Sequence, residues 1–145
     1  SDIWDNLLVV LIADHGLAYP EDLQAGDLLR QQIPMLWIGG AVKESCVVTD
    51  FASQCDLAAT LLAQMQLDVD QFTFSHNIFA NGEPKFGFWS YNNGFGVITA
   101  DGYLRHDLTK DSTIEFEGNH ESLREESVRR GKAIVQSLHK DILQR

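Results

Sequence analysis

One of the five histidines stands beside an aspartate and a glycine at the end of an apolar run: Asp14-His15-Gly16 follows Leu7-Leu8-Val9-Val10-Leu11-Ile12-Ala13. A carboxylate offers a hard oxygen and a neutral imidazole a borderline nitrogen, a pair that suits zinc, manganese or iron-type ions. Adjacent on a turn, the two side chains can aim at one ion or at two neighbouring ones. Gly16 lets the backbone turn there without a Cβ clash. A tight site takes about three or four ligands, so this pair needs others from elsewhere. The plain alternative is a turn aspartate next to a surface histidine. His76, His106, His120 and His139 read as surface or packing residues. Phe86, Phe88, Trp89, Tyr91, Phe95 and Tyr103 read as sheet core and cross-strand pairs before they read as a pocket. The sequence contains neither a glycine-rich phosphate loop nor a Gly-x-Ser-x-Gly elbow.

The elements that must position Asp14 and His15 come from the hydrophobic pattern. Leu7 to Ala13 is continuous, apolar and rich in β-branched residues, the pattern of a strand buried on both faces as in a parallel sheet. In such sheets ligands gather beyond the carboxyl ends of strands, where Asp14 and His15 fall. Pro20 opens a helix over Glu21 to Arg30 that Gly26 weakens. Ile33-Pro34-Met35-Leu36-Trp37-Ile38 reads as a second buried strand, ended by Gly39-Gly40. Ser53-Gln54-Cys55-Asp56 has the form of a helix start, and Leu57, Leu61 and Met65 follow at helical spacing. Strand, helix, strand, helix makes the first half α/β.

Beyond residue 80 the character changes. Phe86 to Tyr91, Phe95 to Thr99 and Tyr103 to Leu108 are short strands separated by Asn93-Gly94 and Asp101-Gly102, dipeptides that supply positive φ angles in tight hairpins. Thr113 to Glu117 is a fourth strand, so residues 81–145 are an antiparallel meander closed by a helix from Glu121 to Leu143. The segment Asp68 to Lys85 is the loosest. The whole, residues 1–145, reads as a single domain.

The chain of 145 residues carries a formal net charge of -10. An acidic surface repels phosphate backbones and anionic lipid, so nucleic acid is not an expected partner. The longest apolar run is far short of the roughly 20 residues a membrane span needs. Ser1-Asp2 leads at once into that run with no basic region before it, which suits a fragment excised from a longer protein. Cys46 and Cys55, with eight residues between them, read as two buried free thiols, with a disulfide as the alternative.

The order of these features resembles the alkaline phosphatase superfamily, and within it the sulfatase-like branch of lipoteichoic acid synthases and phosphoglycerol transferases. The strand ending in Asp14-His15-Gly16 resembles that superfamily's metal-ligand strand. Ile33 to Gly40 resembles its next core strand, and Gln54-Cys55-Asp56-Leu57-Ala58-Ala59-Thr60-Leu61-Leu62 its following helix. Phe74-Ser75-His76-Asn77-Ile78-Phe79 and Tyr91-Asn92-Asn93-Gly94-Phe95-Gly96 match in kind and order. The resemblance implies a bacterial hydrolase or transferase acting on a sulfate ester or a phosphoglycerol lipid. It implies a divalent metal ion (manganese, magnesium, calcium or zinc) held by Asp14 and His15. It places the nucleophile upstream of residue 1, so no catalytic residue is assigned in this chain and the fragment alone is expected to be inactive. The relatives face the periplasm or exterior of the inner membrane and are anchored by upstream helices. Gln31-Gln32 stands where some relatives have a histidine, which bears on the metal count or the substrate contacts. A sheet edge left open by the absent part points to a homodimer. Two readings compete: a non-catalytic α/β binding or interaction module, and a complete small metalloenzyme that finishes its site with His76 or His106.

Overall fold

Apolar runs separated by turns pair as strands in two places, and only the second of these sheets buries a face in a core. The computed structural model describes residues 2–16, 19 and 22–145. It divides into two units, Ser1–Thr49 and Asp50–Arg145. The change in pattern at residue 80 marks the approach to the meander, inside the second unit.

The first unit contains a short helix α1 (Asp2–Asp5), strand β1 (Val9–Ile12), a single turn of helix α2 (Leu28–Gln31) and strand β2 (Met35–Ile38). The two apolar runs do form strands, but they pair antiparallel, with Val9 opposite Ile38 and Leu11 opposite Leu36. That corrects the expectation of a parallel, doubly covered pair. Leu11 and Leu36, facing each other on one side, are 51% and 55% exposed. The physical reason lies in the connection. A parallel crossover usually runs through a full helix, whereas the expected Glu21–Arg30 helix is reduced among the described residues to the single turn Leu28–Gln31. Pro20 and Glu21 lie outside them. Asp27 accepts a hydrogen bond from the Gln24 amide at 2.8 Å and so closes a turn just before α2.

The second unit holds α3 (Asp56–Gln64), strands β3 (Gly87–Tyr91), β4 (Gly94–Thr99), β5 (Gly102–Asp107) and β6 (Ser112–Gly118), and the long α4 (Glu121–Gln144). The strands form one antiparallel sheet in chain order, the meander read from the sequence. One turn sits a residue earlier than expected: Asn92 and Asn93 link Tyr91 to its partner Gly94, which already belongs to β4. Positive φ is found at Gly102 but at neither asparagine nor Gly94. Between Arg105 and His106 the register slips, since Arg105 pairs with Glu115 and His106 with Thr113. Ile114 is the extra residue of this β-bulge on β6, and it is 51% exposed.

One sheet face meets α4. Phe95, Val97 and Leu104 are almost wholly buried, with Phe86, Phe88, Phe116, Val128 and Val135 packed around them. The close approach of helix and sheet depends on Gly131, where a Cβ would lie 1.9 Å from Cε2 of Phe95. Of Val128, Gly131, Val135, Leu138 and Ile142, which share one face by helical spacing, Val128, Gly131 and Val135 cover the core, whereas Ile142 is 68% exposed.

The stretch expected to be loosest, Asp68 to Lys85, has no regular secondary structure but is firmly tied in its later part. Thr60, fully buried, donates to the Asp56 carbonyl at 2.6 Å and accepts from the Ile78 amide at 3.1 Å. Ser75 Oγ donates to the Cys55 carbonyl at 2.6 Å, and Lys85 donates to the carbonyls of Ile78 and Ala80.

Candidate metal centre

Asp14 and His15 lie just past β1, where the strand pattern placed them. Both side chains open to solvent, 92% and 79% exposed respectively, with His15 Nε2 3.7 Å from Asp14 Oδ1. The other ring nitrogen, Nδ1, is 2.9 Å from the Gly16 carbonyl oxygen. Two ligands each about 2.1 Å from one ion can stand at most about 4.2 Å apart, so the observed separation lets this oxygen and nitrogen share an ion. The pair fits a divalent metal as part of a ligand set. Among the described residues no group of three or more histidine, cysteine, aspartate or glutamate side chains is gathered for a metal. Further ligands would have to come from beyond them.

Gly16 has a second constraint. A Cβ there would lie 1.6 Å from the Arg30 carbonyl oxygen and 3.1 Å from the Gln31 amide nitrogen. The end of α2 thus rests directly against the glycine that follows the candidate ligands. Gln31 donates its side-chain amide to the Ala25 carbonyl at 2.8 Å.

The other histidines play different parts, in the second unit. His76 lies 3.2 Å from the buried carboxylate of Asp56 through Nδ1, and its backbone amide donates to the same oxygen at 2.8 Å. The second Asp56 oxygen accepts from the Ser53 amide at 2.7 Å. Ser-x-x-Asp is therefore half a capping box, because the Ser53 hydroxyl accepts from the Phe88 amide instead. A buried carboxylate needs such donors, or its desolvation would go uncompensated. Its role as the anchor of residue 76, some 20 positions later, has no signal in the local sequence. His76 also meets the Phe86 ring edge-on at 5.8 Å, and the Arg130 guanidinium lies 4.8 Å from that ring's centre.

His106 is 3% exposed, against the Phe95 ring at 5.2 Å, and its Nε2 lies 3.0 Å from Asp111 Oδ1. Its Nδ1 has no hydrogen-bond partner among the described residues. This is a packing histidine, as the sequence suggested. On the sheet face away from α4, Arg105 pairs with Glu115 at 3.1 Å and lies 6.0 Å from the centre of the Tyr91 ring. The hydrogen bond from Tyr103 to Glu115 pushes the Tyr103 hydroxyl up to about 12, with burial adding to it. Burial likewise raises Tyr91.

Both cysteines are free, and both residues are exposed, which corrects the expectation of buried thiols. Each lies in an irregular segment, Cys46 between β2 and α3 and Cys55 just before α3, where no regular element covers it. The Cys55 sulfur itself donates to the Phe74 carbonyl at 3.1 Å, and this partial burial, with Asp56 next to it, raises its pKa.

Neither a known family's sequence profile nor any curated protein matches the chain. Its fold is nonetheless similar to the crystal structure of a protein in the alkaline phosphatase superfamily from Vibrio parahaemolyticus, with a TM-score of 0.71 at 18% identity. The match covers 97% of this chain and 37% of that one, so the chain spans well under half the length of the structure it resembles. The mixed α/β fold read from the sequence, with its meander and closing helix, is thus similar to the fold of part of that protein.

Proposed function

We propose that the chain is part of a metal-dependent catalytic domain of the sulfatase-like, phosphoglycerol-transferase type, acting on a sulfate ester or a phosphoglycerol lipid, with Asp14 and His15 as two ligands of a divalent ion. The observation that carries this is the 3.7 Å approach of His15 Nε2 to Asp14 Oδ1 at the end of β1. The likeness of fold to a superfamily protein supports it. In this reading Asp14 contributes negative charge and a hard oxygen, and neutral His15 contributes a nitrogen lone pair. A divalent ion bound there, whether manganese, magnesium, calcium or zinc, would lower the pKa of an attacking group and offset charge on the transferring phosphoryl or sulfuryl group. Both side chains are open enough for substrate to reach them. The nucleophile and remaining ligands belong to a part of the protein beyond these residues.

The reading extends to setting and assembly. The whole protein would act at the periplasmic or outer face of a bacterial inner membrane. No described helix is long and apolar enough to cross one, so an anchor would lie elsewhere. Neither β1 nor β2 gains a further strand among the described residues, which supports pairing of two copies through that edge. A strictly monomeric sedimentation profile at high concentration would count against such a dimer.

The deciding experiment expresses the protein together with whatever the gene encodes before Ser1. Bound metal and hydrolysis of aryl phosphate diester and aryl sulfate are then measured, with Asp14→Asn alongside. The reading expects metal content and turnover to fall together in the variant by tenfold or more, since losing even an outer-shell partner of a ligand costs about 10–100-fold. Unchanged metal content and turnover would overturn it in favour of a binding module. The 145-residue chain alone is expected to show no turnover, and activity abolished by Asp14→Asn in that chain would refute the missing nucleophile.

A further inference from the structure

The hydrogen bond between His15 and Gly16 has a direction, and the direction selects a nitrogen. A carbonyl oxygen only accepts, so the 2.9 Å contact from Nδ1 to the Gly16 oxygen places the proton of the neutral ring on Nδ1. Nε2 then carries the lone pair, and Nε2 is the atom beside Asp14 Oδ1. The opposite tautomer, which a free histidine in water favours, would present an N–H to that position and could not ligate.

Gly16 itself is in close contact with the chain behind it. The space that a Cβ of Gly16 would fill is taken by the Arg30 carbonyl oxygen at 1.6 Å. We propose that Gly16 is a positioning residue for His15: seated against the end of α2, it orients its carbonyl to hold the ring proton on Nδ1 and so presents Nε2 as the ligating nitrogen. The inference rests on the metal-ligand reading of His15 for its purpose, but its physical content is a tautomer that exists without any metal. Metal-binding histidines commonly have their second nitrogen fixed in this way by a carbonyl or carboxylate. Here the fixing group is the next residue of the chain, and a remote turn of helix sets its orientation.

The test is a long-range proton–nitrogen NMR spectrum of the 15N-labelled protein with no metal added, at about pH 8.5, two units above an ordinary imidazole. Comparison with His15→Gln identifies the His15 signals among those of the five histidines. The expected result is a His15 ring mainly in the Nδ1–H form, reverting to mainly Nε2–H in Gly16→Ala. A wild-type ring in the Nε2–H form would overturn the proposal. So would a folded Gly16→Ala protein that keeps the Nδ1–H form, since Gly16 would then not be the cause. If Gly16→Ala does not fold, the wild-type tautomer alone decides. Manganese titration of the labelled protein expressed with its upstream part, which in the ligand reading supplies the remaining ligands, separates the two ideas. Failure to broaden Asp14 and His15 resonances counts against the ligand reading and leaves the tautomer standing, whereas broadening with an Nε2–H ring sinks the positioning role alone.

Discussion

His106 Nε2 and Lys132 Nζ meet on one oxygen of Asp111, at 3.0 and 2.5 Å. The aspartate sits in the β5–β6 turn with φ of 48°, a left-handed conformation that aspartate tolerates better than most residues. One side chain thereby joins a sheet turn, a buried ring and α4. The Lys132 hydrogen bond, then that of His106, holds the Asp111 carboxyl below its ordinary value of 3.8. A carboxyl lowered by folding contributes stability that is present above its unfolded pKa and is lost as pH falls through the folded one. Asp111→Asn is expected to lower Tm slightly at neutral pH and to flatten the loss of stability below about pH 4. Thermal melts from pH 2 to 7 check this, and parallel curves for the two proteins would contradict it.

A methyl group at residue 131 would press on the most buried ring of the core. Gly131→Ala should gain about 1 kcal/mol of helix propensity and lose about 1–3 kcal/mol to overpacking. The second effect wins because Phe95, 0% exposed, has no free space to move into. Urea denaturation should show a net loss of stability, and a net gain would mean that α4 rides further from the sheet than described.

The Asp56 carboxylate is the knot that ties residues 53 and 76 to the start of α3. Asp56→Ala would strand the Ser53 and His76 amides, at a cost of about 1–3 kcal/mol. His76→Ala, which removes a half-exposed ring and leaves the amide bonded, should cost less. Hydrogen exchange offers the sharper test: the His76 amide should lose protection in Asp56→Ala and keep it in His76→Ala. Equal exchange in both variants would show that the amide bond does not hold the segment.

Tyr103 should resist ionisation. With its hydroxyl bonded to Glu115 and its pKa at about 12, its ultraviolet phenolate signal should appear only in strong alkali. Glu115→Gln should bring that transition down towards the ordinary 10. A transition unmoved by the substitution would assign the shift to burial instead.

The legibility of this chain follows the range of its interactions. Alternation and turn residues revealed the meander, because strand pairs and hairpins are local. Helical spacing from Val128 to Ile142 revealed the covered face of α4 for the same reason, but not that its far end at Ile142 stays exposed. Direction of pairing between β1 and β2 was not legible. A continuous apolar run states that a strand is to be covered and is silent on its neighbour. The Asp14-His15 pair stood out as a candidate because its residue types adjoin in sequence. The links of Asp56 to His76 and Gly16 to Arg30 were not, since each joins residues 14 or more positions apart, 20 in the first case. Nothing in the local pattern encodes such a contact.

The bulge at Ile114 has a bearing on how copies of this chain meet. β6 is the outermost strand of the meander, and its outward amides and carbonyls would offer a second molecule a template. With one residue too many between Thr113 and Glu115, that row is out of step with any regular strand laid against it. A neighbouring copy aligned with residues 115–118 falls out of alignment at 112–113. On its β6 side the sheet carries its own stop against edge-to-edge growth into fibres.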